Sequence, residues 1–124
     1  MTTTAQTIPQ ITQEFIKKYE AAWSKGSKEL IKLYTPDCIL VGYQTVQGSP
    51  QISELLQGII NQGWTSISIK QVLNKSLDDN NILLACEYTA IGSPALNGQQ
   101  MTAKSSYVLT QENGEWLIAM HTAT

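Results

Sequence analysis

Residues 49–77, SPQISELLQGIINQGWTSISIKQVLNKSL, contain the point at which the chain is predicted to change from helix to sheet. Ser49 and Pro50 are typical of a helix start, because a proline in the first turn loses no hydrogen bond. Up to Gly63 the apolar residues recur every three or four positions and predict one apolar helical face. That face carries Ile52, Leu55, Leu56, Ile59 and Ile60. After Gly63 the apolar period falls to two, which indicates a β-strand.

The residues before this segment carry a second helical pattern. Apolar side chains at three- and four-residue spacing predict another amphipathic helix. Its apolar stripe comprises Phe15, Ile16, Tyr19, Ala22 and Trp23. Gly26 can end this helix, and Ser27 can cap a short second helix that reaches Leu33. Residues 35–37, Thr-Pro-Asp, predict a turn, and residues 38–41 predict a short strand.

The rest of the chain predicts an antiparallel meander of long strands. Alternating apolar residues indicate strands at residues 64–77, 82–92, 99–112 and 115–123. Residues 78–81 predict the first turn, and Asn113-Gly114 is a two-residue hairpin signal. Helices followed by antiparallel strands are the α+β pattern, and long strands beside few helices must curve around them to bury an inner face.

Size and charge limit the classes of function. The chain has 124 residues, 42% of them hydrophobic and 15% charged, which suits one domain. We assign residues 10–124 to this domain and expect residues 1–9 to be frayed. The net charge of -2 argues against a nucleic-acid partner, and no apolar stretch reaches the length that crosses a membrane. Cys38 and Cys86 lie in apolar strand-like contexts, and two buried thiols favour a cytoplasmic location.

Two segments resemble the nuclear transport factor 2-like superfamily. The first is residues 17–57, KKYEAAWSKGSKELIKLYTPDCILVGYQTVQGSPQISELLQ, and the second is the ending NGEWLIAMHTAT at residues 113–124. This superfamily includes the SnoaL-like polyketide cyclases, the ketosteroid isomerases and the association domain of calcium/calmodulin-dependent protein kinase II. The resemblance implies a cone-shaped, cystatin-like fold, with about three N-terminal helices wrapped by a curved, mixed but mostly antiparallel sheet. It also implies an internal pocket and a homodimer formed through the sheet.

The resemblance to ketosteroid isomerases can be carried onto single residues. Their reaction needs a carboxylate base, and a tyrosine with a protonated acid to bind the oxyanion. The match places the base position at Gly42 and the acid position at Ser105 or Ser106. It retains the tyrosine as Tyr19, with Tyr34 placed to hydrogen-bond near it. Because a glycine cannot abstract a proton, we do not expect isomerisation by that mechanism.

Ideal strand pairing leaves two orientations open for the polar residues of the sheet. The two-residue hairpin would place Ser106 opposite His121. A regular loop before the third long strand would place Glu87 opposite Lys104. These four side chains would then share one face, either in solvent or lining the cone. The family resemblance instead implies that His121 and Tyr88 point inward, which conflicts with ideal pairing unless a β-bulge in the loop at residues 93–98 shifts the register by one. Whether Glu87 or Tyr88 faces the pocket is left open.

The predicted pocket suits a small, mostly apolar ligand with one or two polar groups. Tyr19 and His121 are the candidate catalytic acid–base pair. The candidate ligand-binding residues are Trp23, Tyr34, Leu56, Trp64, Tyr88 and Ser106. One histidine and two distant cysteines form no metal-ligand set, and the scattered glycines form no phosphate-binding loop, so we expect no cofactor.

Three functions are open on these grounds. We prefer a homodimeric pocket protein, because residues 83–86 and 116–120 are apolar on both faces and need cover on both sides. The second is a SnoaL-like cyclase or ketosteroid isomerase-like enzyme that acts on an enolisable carbonyl compound by acid–base chemistry. The third is a non-catalytic association module acting in trans.

Overall fold

The computed structural model describes residues 7–42 and 44–123, which form helices packed on one face of a sheet. The helices are α1 (Ile8–Trp23), α2 (Ser27–Leu30) and α3 (Ser49–Asn61). The strands are β1 (Tyr34–Val41), β2 (Thr45–Gln47), β3 (Trp64–Asp78), β4 (Asn81–Gly92), β5 (Gln100–Glu112) and β6 (Glu115–Ala123).

The strands form a single sheet with the order β2-β1-β6-β5-β4-β3 in the described part of the chain. The pairing of β1 with β6 is parallel, and the other four pairings are antiparallel. The sheet is open, with β2 and β3 at its edges. The predicted α+β class, with helices beside a mixed but mostly antiparallel sheet, is therefore confirmed.

The N-terminus of α1 is fixed by a capping box. The Thr7 hydroxyl accepts a hydrogen bond from the Gln10 backbone N–H at 3.3 Å, and the Gln10 side chain accepts one from the Thr7 N–H at 2.9 Å. Pro9 occupies the first turn. The prediction that residues 1–9 are frayed is therefore wrong for residues 7–9. Its remaining part, residues 1–6, lies outside the described residues.

Helices α1 and α3 cover one face of the sheet, called the inner face below. The buried apolar side chains of α1 and α3 follow the predicted stripes and include Phe15, Ile16, Tyr19, Trp23, Ile52, Leu55 and Leu56. They meet a second buried set on the sheet that includes Ile82, Leu84, Tyr107, Leu109 and Ile118. Cys38 and Cys86 belong to this core as free thiols, as predicted.

Two tight turns connect the long strands as the sequence predicts. Asn113 and Gly114 adopt left-handed φ angles of 52° and 79°, so that Glu112 pairs with Glu115 across a two-residue turn. In the turn from β3 to β4, the Asp78 carboxylate accepts a hydrogen bond from the Asn80 backbone N–H at 2.8 Å.

The first strand differs from its prediction. Residues 35–37 continue β1 and form no turn, and the pairing of β1 with β6 is irregular between Tyr34 and Ile39. This irregularity accommodates Pro36, which has no N–H for a regular ladder. The short strand β2 was not predicted, because three residues are too few to show an alternating pattern. No helix within the described residues is long and apolar enough to cross a bilayer.

Candidate functional site

One residue of β6 has no pairing partner of its own. Leu109 of β5 pairs with Ile118 and Val108 pairs with Met120, so Ala119 is an extra residue that forms a β-bulge. Successive side chains of a strand point to opposite faces, so an extra residue reverses the face of every residue that follows it.

This bulge places His121 on the inner face and corrects part of the predicted polar cluster. His121 pairs with Tyr107, so its predicted pairing with Ser106 is wrong. Ser106 is exposed on the opposite, outer face, and it cannot be a ligand contact of the inner face. Glu87 pairs with Lys104 as predicted, and both are exposed. The four side chains therefore do not share one face.

The inner face and the two longer helices enclose a cavity of about 370 Å³. Most of the predicted site residues line it, namely Tyr19, Trp23, Leu56, Trp64, Tyr88 and His121. Tyr88 rather than Glu87 thus faces the interior, which decides the question that the sequence left open. Trp23 also fixes the rim of the cavity, because its Nε1–H donates to the backbone carbonyl of Trp64 at 2.9 Å.

A chain of hydrogen bonds connects three buried side chains at the cavity wall. The hydroxyl oxygens of Tyr19 and Tyr34 are 2.7 Å apart, and the Tyr34 hydroxyl lies 3.0 Å from Nδ1 of His121. All three side chains are buried, but Tyr19 and His121 line the cavity and Tyr34 does not. Tyr34 therefore supports the wall instead of lining the cavity.

Burial keeps all three members of this chain uncharged at neutral pH. Desolvation lowers the pKa of His121 to about 3 and raises the pKa values of Tyr19 and Tyr34 well above their ordinary value. The imidazole also stacks on the ring of Tyr107, with centroids 4.5 Å apart. The Tyr107 hydroxyl is bound in turn by the hydroxyl of Ser105, which donates to it at 3.1 Å.

The remaining wall carries no charge. Within residues 7–42 and 44–123, no Asp, Glu, Lys or Arg side chain lines the cavity. Gly42, which stands at the position of the ketosteroid isomerase base in the family resemblance, does line it and offers no proton acceptor. The arrangement can therefore hold an apolar molecule and hydrogen-bond to it, but it lacks a carboxylate base among these residues.

Sequence reasoning missed several residues that line the cavity. Tyr107, which stacks on His121, is one of them. Others are Leu55, Ile59, Gln62, Ile67, Ala90, Met101 and Ala123. The period-two pattern of β4 contains the signal for Ala90, since it shares a face with Tyr88.

No family model and no curated protein matches this sequence. Solved structures do match the fold. An NTF-2 like protein of unknown function from Shewanella oneidensis MR-1 has a TM-score of 0.80 and 11% identity, over 94% of this chain and 98% of that one. A ketosteroid isomerase-like protein from Erwinia carotovora atroseptica has a TM-score of 0.74 and 13% identity, over 91% and 92%.

A third similar structure, from Xanthomonas campestris, is named for a calcium/calmodulin dependent protein kinase II association domain. It has a TM-score of 0.75 and 18% identity, and it covers 100% of this chain and 93% of that one. At identities this low, the likenesses establish the fold and leave the activity open. The predicted resemblance to the nuclear transport factor 2-like superfamily is confirmed as a fold.

The buried neutral imidazole predicts a pH-dependent stability. The unfolded chain binds a proton at His121 near its ordinary pKa of 6.5, whereas the native protein does so only near about 3. Between these values the unfolded state holds more protons, so stability falls as the pH falls. His121 should contribute a loss of up to about 1.4 kcal/mol per pH unit below about pH 6.

Urea denaturation of the wild type and of His121→Gln, at a series of pH values from about 7 to about 4, measures this contribution. His121 is the chain's one histidine, so the difference between the two pH slopes isolates it from the carboxylates. Glutamine cannot titrate, and we expect the variant to lose less stability on acidification. Parallel slopes would contradict the buried, neutral state of His121.

Proposed function

We propose that the chain is a homodimeric domain that binds a small, uncharged and mostly apolar molecule in the cavity of its inner face. The observation that carries this proposal is the cavity wall, which is apolar except for a few buried, neutral polar groups. Such a wall is typical of sites that bury an apolar ligand and orient it by a few hydrogen bonds.

The ligand should be uncharged because the described wall offers nothing to compensate a charge. Moving an ion from water into an apolar cavity is costly unless an opposite charge or several hydrogen bonds replace its hydration. Tyr19, Tyr34 and His121 all stay neutral near pH 7, as their shifted pKa values indicate. For a carboxylate or an ammonium group, the hydration free energy lost at this wall would therefore exceed the interaction free energy gained.

An enzyme acting on an enolisable carbonyl compound is the second candidate. The Tyr19 hydroxyl at the cavity wall could donate to a carbonyl oxygen, and one structural neighbour is named ketosteroid isomerase-like. A general base works best when its pKa lies near the working pH, and His121 has a pKa of about 3. With Gly42 at the position of the base, binding is better supported than catalysis.

The homodimer is proposed from an apolar row on the outer face. Cross-strand pairing aligns four side chains on β1, β6, β5 and β4, namely Ile39, Met120, Val108 and Leu83. Met120 is 39% exposed and Leu73, which borders the same groove, is 69% exposed. A second copy covering this row would remove the apolar surface from water. Such a surface would also serve the third candidate, an association module.

The free, buried thiols of Cys38 and Cys86 support a cytoplasmic location for this domain. Thiols persist in a reducing compartment, and burial raises the pKa of each to about 12, which keeps them unreactive.

Binding can be tested with indanone, a two-ring ketone, and with an indane carboxylate of similar size. We expect isothermal titration calorimetry to show binding of the ketone and at least about tenfold weaker binding of the carboxylate. Ala90→Leu enlarges a side chain in the cavity wall and should weaken ketone binding by about tenfold or more. Ala21→Leu, the same change on the exposed face of α1, should not alter it. Equal affinities of Ala90→Leu and wild type would place the ligand elsewhere.

Dimerisation can be tested by sedimentation. We expect the wild type to sediment as a dimer at micromolar concentration and Met120→Lys to sediment as a monomer, because a charge in the apolar row cannot be buried unpaired. Gln13→Lys, on the exposed face of α1, is the matched control and should leave the dimer intact. A wild type that stays monomeric would contradict the proposed dimer and leave the binding proposal standing.

A further inference from the structure

The hydrogen-bonded chain from Tyr19 through Tyr34 to His121 begins and ends at the cavity. Its middle residue, Tyr34, hydrogen-bonds to the other two, and it does not line the cavity. Nε2 of His121 has no hydrogen-bond partner among the described residues and is not fully buried there. Of the three members of the hydrogen-bonded chain only Tyr19 and His121 line the cavity, so the Tyr19 hydroxyl and Nε2 of His121 are the polar groups that this hydrogen-bonded chain can offer a ligand.

The number of protons on the hydrogen-bonded chain determines which of these two groups donates to a ligand and which accepts. Each tyrosine hydroxyl carries one proton, and a neutral imidazole carries one proton on either Nδ1 or Nε2. If Nδ1 carries it, Nδ1 donates to Tyr34, Tyr34 donates to Tyr19, and the Tyr19 hydroxyl donates to the ligand while Nε2 accepts. If Nε2 carries it, both internal hydrogen bonds reverse, so that Nε2 donates to the ligand and the Tyr19 oxygen accepts.

Both arrangements leave one donor and one acceptor at the cavity. If the Tyr19 hydroxyl and Nε2 of His121 both donated to the ligand, Tyr34 would lack its hydrogen bond from Tyr19. If both accepted from the ligand, the proton of Tyr34 would have no acceptor. Either alternative is costly, because Tyr34 is buried and does not line the cavity, so water in the cavity cannot replace the missing partner.

Interconversion of the two arrangements needs no charged group. One proton moves from Nδ1 to Tyr34, one from Tyr34 to Tyr19, one from Tyr19 to water, and one from water to Nε2. Each of the three side chains and the water molecule gives up one proton and receives one, so the wall stays neutral. The ligand can therefore be bound with its donor at either end.

We propose that this wall selects an uncharged ligand that carries a hydrogen-bond donor beside an acceptor, as a cyclic amide does. A molecule with two acceptors matches only one end of the chain. The inference rests on the proposed binding function and names the ligand class of the same cavity.

Two ring compounds of the same shape test this inference. Oxindole is a cyclic amide with an N–H donor beside its carbonyl, and benzofuranone is the lactone in which a ring oxygen replaces that N–H. For the wild type, isothermal titration calorimetry should show oxindole binding about tenfold more tightly, the factor expected for one hydrogen bond.

A variant that interrupts the hydrogen-bonded chain should remove the preference for oxindole over benzofuranone. In Tyr34→Phe the two ends are no longer coupled, so both can donate to the lactone, and the preference should fall to about threefold or less. Thr12→Val is the matched control, because it also removes one buried hydroxyl. Thr12 does not line the cavity and its hydroxyl bonds to the side chain of Gln71, outside the hydrogen-bonded chain, so the preference should persist.

The outcomes separate the inference from the proposed function. Equal wild-type affinities for the amide and the lactone would overturn the inference, and so would a full preference retained by Tyr34→Phe. In either case the binding function would stand. If neither compound binds and indanone does not bind either, the proposed function fails and the inference fails with it. The wild-type comparison alone suffices if Tyr34→Phe does not fold.

Discussion

The polar part of the inner face depends on one extra residue, Ala119, in the last strand. Regular pairing from the hairpin onwards would have pointed His121 to the outside, opposite Ser106. The bulge reverses the side chains after it, so that His121 enters the interior and stacks on Tyr107. Without this reversal Tyr34 would have no imidazole partner, and Met120 would occupy the cavity wall. The hydrogen-bonded chain and the apolar outer row therefore have the same structural origin.

Much of the fold could be predicted from the sequence, because its signals are local. The long strands, the two hairpin turns and the apolar helical stripes depend on periodicity and on a few turn residues. The family resemblance called for a register shift, but its position at Ala119 could not be predicted, since alanine suits either face and no glycine or proline marks the position. For the same reason Ser106 was placed with His121, although the two lie on opposite faces.

The sequence indicates where the helical side chains lie better than it indicates what they do there. Tyr19, Trp23 and Leu56 line the cavity because helical spacing fixes the face of a helix. The family resemblance placed Tyr34 near Tyr19, but its hydrogen bond to His121 depends on how the irregular strand β1 pairs with β6, which the sequence does not reveal. The neutral state of the wall is also a tertiary property, because it arises from burial and from the lack of a charged neighbour among the described residues.

This fold supports many functions, so the function of this chain has to be inferred from its cavity wall. The central claim is that His121 is buried, neutral and joined through Nδ1 to Tyr34. The most direct measurement is the NMR chemical shift of its two ring nitrogens in ¹⁵N-labelled protein at about pH 5, below the ordinary histidine pKa. The account predicts one protonated and one unprotonated nitrogen. Two protonated nitrogens, as in an exposed imidazolium ion, would contradict it.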